Sequence, residues 1–198
     1  AYPHRAFAAM SKQPPARFPR GLIALHWITL LLLVGVYATM ELRGIFPRGS
    51  AERAAMKTAH YFLGISVFAL TWLRLGLRLS GRIPPITPQP PKWQSALAAV
   101  VALALYVLLL AMPIVGYLLL NAEGHAPAIG NLRLPLLIPV QQGLAESLET
   151  WHGRIATAGY WLVGVHALAA IYHHHVRRDD ALLRMSPRRR VPVNPAND

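Results

Sequence analysis

The chain of 198 residues contains no cysteine. Disulfides, thiolate zinc sites, iron–sulfur clusters and the C-x-x-C-H attachment of a covalent haem are therefore all excluded. Carboxylates are scarce as well: Asp and Glu number 8 against 20 Lys and Arg, which leaves a net charge of +12 and a pI near 11.1. Such a balance raises nucleic acid as a partner. The distribution of charge argues against it, because the cations sit mostly in gaps between long apolar runs rather than on one stripe. With 54% hydrophobic and only 14% charged residues, the chain reads as one membrane domain.

Residues 22–40 form an almost wholly apolar run flanked by Arg20 and Glu41, and at about 1.5 Å per residue it can cross a ~30 Å hydrocarbon core. A signal peptide is the competing reading, but the stretch is too long for its apolar region and contains a histidine. Helix two is expected over 54–79, ended by the Pro-rich segment 83–91, and helix three over 93–120 with a kink at Pro113. A loop over 121–143 then leads to helix four at 146–176. The expected fold is all-α, an integral membrane four-helix bundle running antiparallel up and down. An N-terminal arm (1–19) precedes the transmembrane domain (20–178), and a basic tail (179–198), extended beyond Met185, follows it.

Charge sets the orientation. The N-terminal arm carries Arg5, Lys12, Arg17 and Arg20, the middle connection Arg74, Arg78, Arg82 and Lys92, and the tail Arg177, Arg178, Arg184, Arg188, Arg189 and Arg190. Opposite them stand only Arg43, Arg48, Arg53, Lys57, Arg133 and Arg154. An excess of cations on one side places both termini in the cytoplasm.

Four histidines lie in or just inside the apolar spans: His26, His60, His152 and His166. A lone intramembrane histidine is as readily a hydrogen-bonded packing residue as a ligand; four of them at matched depths need a common explanation. In alternating helices His26 lies near the cytoplasmic end and His60 near the outer end. His152 and His166 are fourteen residues apart on helix four, ~21 Å along the axis and only about 40° around it. One face of helix four thus presents an imidazole to each depth, facing His60 outside and His26 inside.

Two imidazoles opposed across a bundle form an axial pair for haem iron, so two noncovalent b-type haems with bis-histidine iron are expected inside the bundle. Zinc suits the set less well, since each level offers only two protein ligands. With both axial positions filled by protein, the chemistry is outer-sphere electron transfer. A proton or metal transporter would also use intramembrane histidines, but it leaves their pairing in depth without a reason.

Around the histidines several residues have two readings. Gly64 and Gly164 either admit a porphyrin close to the backbone or allow close helix packing. Arg20, Arg74 and Arg78 either anchor helices at the headgroups or pair with haem propionates. On the outer side Arg43, Arg48, Lys57 and Arg133 form a basic patch that would attract an anionic electron donor. His173, His174 and His175 read as a solvated or headgroup-facing end of helix four, while His4 and His125 carry no specific signal.

The segments LHW (25–27), MELRGIFPR (40–48), His60 followed by Gly64, the Pro-rich loop, WHGRIATAGY (151–160), GVH (164–166) and LLRMSPRR (182–189) resemble the bacterial cytochrome b561 family. The resemblance spans about residues 20–190 and takes in all four histidines in order. It implies a di-haem b-type cytochrome of the bacterial inner membrane that exchanges electrons with ubiquinone, with His60 and His152 on the outer haem and His26 and His166 on the inner one. It is nearest to members that take electrons from superoxide at the periplasmic face, for which the outer cations would steer the substrate. A relay that accepts electrons from a periplasmic dehydrogenase or hydrogenase is the other activity the family offers. The arm up to about Phe18 and the loop 121–143 depart from the family pattern and bear on the donor more than on the haems.

Overall fold

The computed structural model describes residues 17–81, 83–126, 128–129 and 132–187. Four long helices account for most of them: α1 (Arg20–Leu42), α2 (Ala51–Ser80), α3 (Lys92–Ala122) and α4 (Gln142–Tyr172). Each is long and apolar enough to cross a membrane. Their outward faces are apolar rather than charged, with Leu31 70%, Leu103 65%, Leu168 66% and Trp161 75% exposed. A bilayer is the solvent that makes such a surface stable, because a helix satisfies its own backbone and leaves only side chains to meet lipid. The chain is a multi-pass membrane protein.

The helices reach further than their apolar runs. Ser50 accepts a hydrogen bond from Arg53 N at 3.2 Å and starts α2 at Ala51, three residues before the expected Ala54. Helix α4 begins at Gln142 rather than Glu146, its first turn Gln142-Gly143-Leu144-Ala145 lying ahead of the long apolar run. It leaves regular geometry at Tyr172, and His173–Arg177 form a wider π-helical turn closed by Arg178 in the left-handed region at φ 53°. Helix α3 runs unbroken through Pro113.

The connection from α3 to α4 is folded onto the end of α3. It holds the two-stranded hairpin β1 (Ala128–Ile129) and β2 (Leu132–Arg133), an addition to the expected all-α architecture confined to this loop. Asn121, fully buried, fastens the rest: its Nδ2 donates to Tyr117 O at 3.0 Å and its Oδ1 accepts from Leu137 N at 2.6 Å.

Helix α1 packs along α2 and α3 along α4, with a lesser contact between α2 and α3; α4 makes no comparable backbone approach to α1 or α2. The bundle is thus two hairpins with an open seam between the α1–α2 pair and α4. At mid-seam the helices touch only through long side chains. Tyr37 Oη donates to Ala156 O at 2.9 Å, its ring lies 4.1 Å from that of Tyr160, and Tyr160 Oη donates to Glu41 Oε1 at 2.8 Å. Gly159 is what admits Tyr37, since any Cβ there would collide with the phenol oxygen.

At the end of the bundle where α1 begins and α4 finishes, the segment from Asp179 to Met185 folds back as a buried strap. Asp180 Oδ1 accepts from Thr87 N at 2.9 Å, Asp180 N donates to Thr87 O at 3.1 Å, and Arg184 donates to Pro84 O. Arg184 also lies over the Phe18 ring at 4.9 Å, and burial pushes its guanidinium below the usual arginine range. The basic tail read from the sequence began at Asp179. Its first residues tie the α2–α3 connection to the start of α1, and residues 188–198, like the arm at 1–16 and Arg82, lie outside the described residues.

Candidate functional site

The two imidazole pairs meet across the seam. His60 of α2 faces His152 of α4 with ring centroids 6.1 Å apart, and His26 of α1 faces His166 of α4 at 6.3 Å. A metal–imidazole bond is about 2.0 Å long. With the bonded nitrogen about 1 Å from its ring centre, one metal between two imidazoles sets their centres roughly 6 Å apart. Both pairs stand at that spacing, although the backbones carrying them stay apart.

The ring nitrogens are arranged for an added partner. His60 Nδ1 lies 3.0 Å from Val36 O. A carbonyl only accepts, so Nδ1 carries the proton and Nε2 is left with a free lone pair, the tautomer that a metal-ligating histidine holds. His26 Nδ1 and His152 Nδ1 are buried without a hydrogen-bond partner among the described residues. Among the described residues no three His, Asp or Glu side chains converge as a zinc site would require.

The seam also has room. A Cβ added at Gly64 or Gly164 meets nothing within 4 Å, so neither glycine serves close helix packing. Gly116 of α3 behaves differently: a Cβ there would come to 3.2 Å from His152 Cε1, which makes this glycine the backing of that imidazole. Sequence reasoning missed Gly116; its position three residues after Pro113 in an apolar helix was the only signal.

The arginines separate by burial. Arg74 is half-buried, its charge acts on both His26 and His166, and it lies 5.6 Å from the Tyr106 ring with a buried Nε lacking a partner. A guanidinium so placed suits a propionate. Arg78, one turn on, is half-buried, whereas Arg20 is exposed at the first turn of α1, where it lines a cavity with Trp27. Trp27, which sequence reasoning quoted only within a motif, stands edge-on to His26 at 5.7 Å.

At the opposite end the expected basic patch is divided. Arg43 is half-buried in a short 3-10 turn after α1, close enough for its charge to act on His60, and Arg48 is exposed beyond it. Arg53 is occupied in fastening that turn, donating to Phe46 O at 3.1 Å and Arg43 O at 3.4 Å. Lys57 lies apart from them, lining a cavity of about 470 Å³ with Glu123, His125, Glu146 and Glu149. One ammonium facing three carboxylates gives this cavity no anion-attracting surplus. Arg133 contributes its backbone to β2, and its side chain lies outside the described residues.

His173 is not a solvated headgroup residue. Its Nδ1 lies 2.5 Å from Oδ2 of Asp179, a buried carboxylate that also accepts from Ala181 N at 3.0 Å. His174 and His175 stack edge-on at 4.8 Å beside it.

The prokaryotic cytochrome b561 family profile matches residues 17–188, which include the whole of both histidine pairs. The chain belongs to the prokaryotic cytochrome b561 family. It is 37% identical over 174 residues to cytochrome b561 homolog 1 of Escherichia coli (strain K12), covering 88% of this chain and 99% of that one. A probable superoxide oxidase CybB of Yersinia pestis is 36% identical over 168 residues, 85% of this chain and 94% of its own length. Cytochrome b561 homolog 2 of Escherichia coli (strain K12) is 26% identical over 185 residues, 86% and 92% of the two chains. This cytochrome b561 is therefore a membrane b-type cytochrome that binds haem b and works in electron transfer. The free Nε2 of His60 and the spacing of both imidazole pairs, 6.1 and 6.3 Å, fit that group.

Proposed function

We propose that His60 and His152 hold one haem b and His26 and His166 a second, and that the chain carries electrons from a periplasmic donor, superoxide, to ubiquinone in the inner membrane. The observation that carries this reading is the recurrence, at two depths of one seam, of imidazole pairs 6.1 and 6.3 Å apart between helices whose backbones do not pack. When bound, the haems would supply one-electron chemistry. The protein's own part is to fix the imidazoles, through Val36 O behind His60 and Gly116 behind His152, and to place the Arg74 cation near the inner pair. Arg43 and Arg48 would draw an anion to the outer pair. Two superoxide ions each give up one electron and leave as oxygen. Ubiquinone takes both electrons with two protons and becomes ubiquinol. The name of the Yersinia pestis relative supports superoxide as the donor.

Purified holoprotein tests the reaction in both directions. Superoxide is expected to reduce the haems, and a short-chain ubiquinone to reoxidise them with formation of the quinol. Haems that ignore superoxide but equilibrate with quinol would move the protein to the relay reading. The carboxylates around Lys57 are the observation that favours this second reading, because they suit a positively charged protein donor better than an anion.

Orientation is proposed from charge, with both termini cytoplasmic. The chain has no cysteine, so single cysteines introduced at Gly49 and Asn197 report sidedness without background. Labelling by an impermeant reagent in spheroplasts is expected at Gly49 alone; labelling at Asn197 instead would reverse the topology.

A further inference from the structure

On α4 the residue midway between the two seam histidines is Gly159, seven residues from His152 and seven from His166. Two helical turns separate it from each, about 10.5 Å along the axis and about 20° around it, so the three positions share one face. Gly159 is buried although it has no side chain of its own. Its cover comes from two other helices: a Cβ there would collide with Tyr37 Oη of α1 and come to 3.2 Å from Leu108 Cδ2 of α3. The phenol of Tyr37 thus occupies the side-chain position that Gly159 leaves empty, between the outer and the inner imidazole pair.

Several contacts fix the phenol there. Its Oη donates to Ala156 O at 2.9 Å, and its ring lies against that of Tyr160 with centroids 4.1 Å apart and planes at 42°. Tyr160 is itself tied to Glu41 Oε1 at 2.8 Å. Val36, the residue before Tyr37, supplies the carbonyl that holds His60. Adjacent residues of α1 therefore orient the outer imidazole and fill the seam between it and the inner pair.

We propose that Tyr37, seated on Gly159, is the bridge for electron transfer between the two haems. The assignment rests on the proposed ligation of two haems, and it adds the route between them. Tunnelling is faster through bonded and closely packed atoms than across a loosely filled gap. Because α4 makes no close backbone approach to α1 or α2, a side chain has to supply those atoms at mid-seam. One electron leaves a ferrous iron at the outer pair, which becomes ferric, and arrives at a ferric iron at the inner pair, which becomes ferrous. Tyr37 is neither oxidised nor reduced, and its proton stays on Oη in the hydrogen bond to Ala156 O.

The test uses holoprotein in which a light pulse delivers one electron and its redistribution between the haems is followed optically. Haem content, spectra and midpoint potentials are read alongside, without turnover. Tyr37→Ala empties the position and is expected to slow redistribution several-fold with those three readouts unchanged, a combination that loss of packing support alone would not produce. Tyr37→Phe keeps the ring and is expected to keep the rate. Should Tyr37→Ala fail to hold haem, Tyr37→Leu, which restores apolar volume without the reach to Gly159, takes its place with the same expected slowing. Redistribution at the parent rate in the alanine or leucine variant, slowing in Tyr37→Phe equal to theirs, or slowing that only follows a shift in midpoint potential would overturn the assignment while leaving both haems in place. A parent protein with a single haem has no such step and would overturn the ligation as well.

Discussion

Replacing either histidine of one pair with alanine is expected to remove one haem and leave the other. His60→Ala and His152→Ala should each take the haem content from two per chain to one, with the surviving spectrum the same in both. His26→Ala and His166→Ala should also leave one haem, with a different surviving spectrum. The physical reason is that each pair spans the seam: one partner is on α4 and the other on α1 or α2, with ring centroids 6.1 and 6.3 Å apart. On the proposed ligation, losing one imidazole would halve the ligand set at one depth, and the other depth, ~21 Å away along α4, would keep both. Spectra that group His60 with His166, or variants that lose both haems together while remaining folded, would contradict the pairing.

The second large effect is on the encounter with superoxide. Arg43 is half-buried with its charge acting on His60, and Arg48 is exposed five residues further along the same α1–α2 connection. Reversing both, as Arg43→Glu with Arg48→Glu, is expected to lower the second-order rate with superoxide by on the order of tenfold, the lower end of what steering contributes. Raising ionic strength should slow the parent protein in the same way, since exposed charges are screened over ~8 Å at physiological salt. Lys57→Glu alone should change the rate far less, because Glu123, Glu146 and Glu149 already face that ammonium. Haem content is the control. Rates in stopped flow that are indifferent to both salt and charge reversal would leave superoxide an incidental donor and favour a docked protein.

The four histidines were legible because an ionisable side chain in an apolar run stands out, and helical geometry converts a fourteen-residue spacing into two depths on one face. The pairing needs no tertiary information beyond alternation of helix direction. The helix ends were less legible: α4 starts at Gln142, a turn ahead of its apolar run, and α2 starts at Ala51, where Ser50 caps it. The strap was hidden altogether. Asp179, Asp180 and Arg184 look like an exposed polar tail, yet they are 4%, 7% and 5% exposed because Asp179 meets His173 and the partners of Asp180 and Arg184, Thr87 and Pro84, come from the α2–α3 connection. The outer cations failed in a related way. Counted along the chain they form a patch, but folding sets Lys57 among carboxylates contributed by α4 and the end of α3, and turns Arg53 to backbone carbonyls. Pairings of charge across helices leave no local pattern in sequence.

Gly64 and Gly164 show what structure adds where sequence allows two readings. Both glycines could have served close packing or open space, and only the surroundings decide; nothing lies within 4 Å of an added Cβ. Gly116, by contrast, carried no expectation and proves to back His152.

The most direct test of the central claim is the haem stoichiometry and iron spin state of the purified parent protein, read together from extracted haem b and from the absorption and low-temperature magnetic resonance spectra. Two low-spin haems per chain, each with the signature of two imidazole ligands, is the predicted result. A single haem, or a high-spin iron with an open axial position, would contradict it.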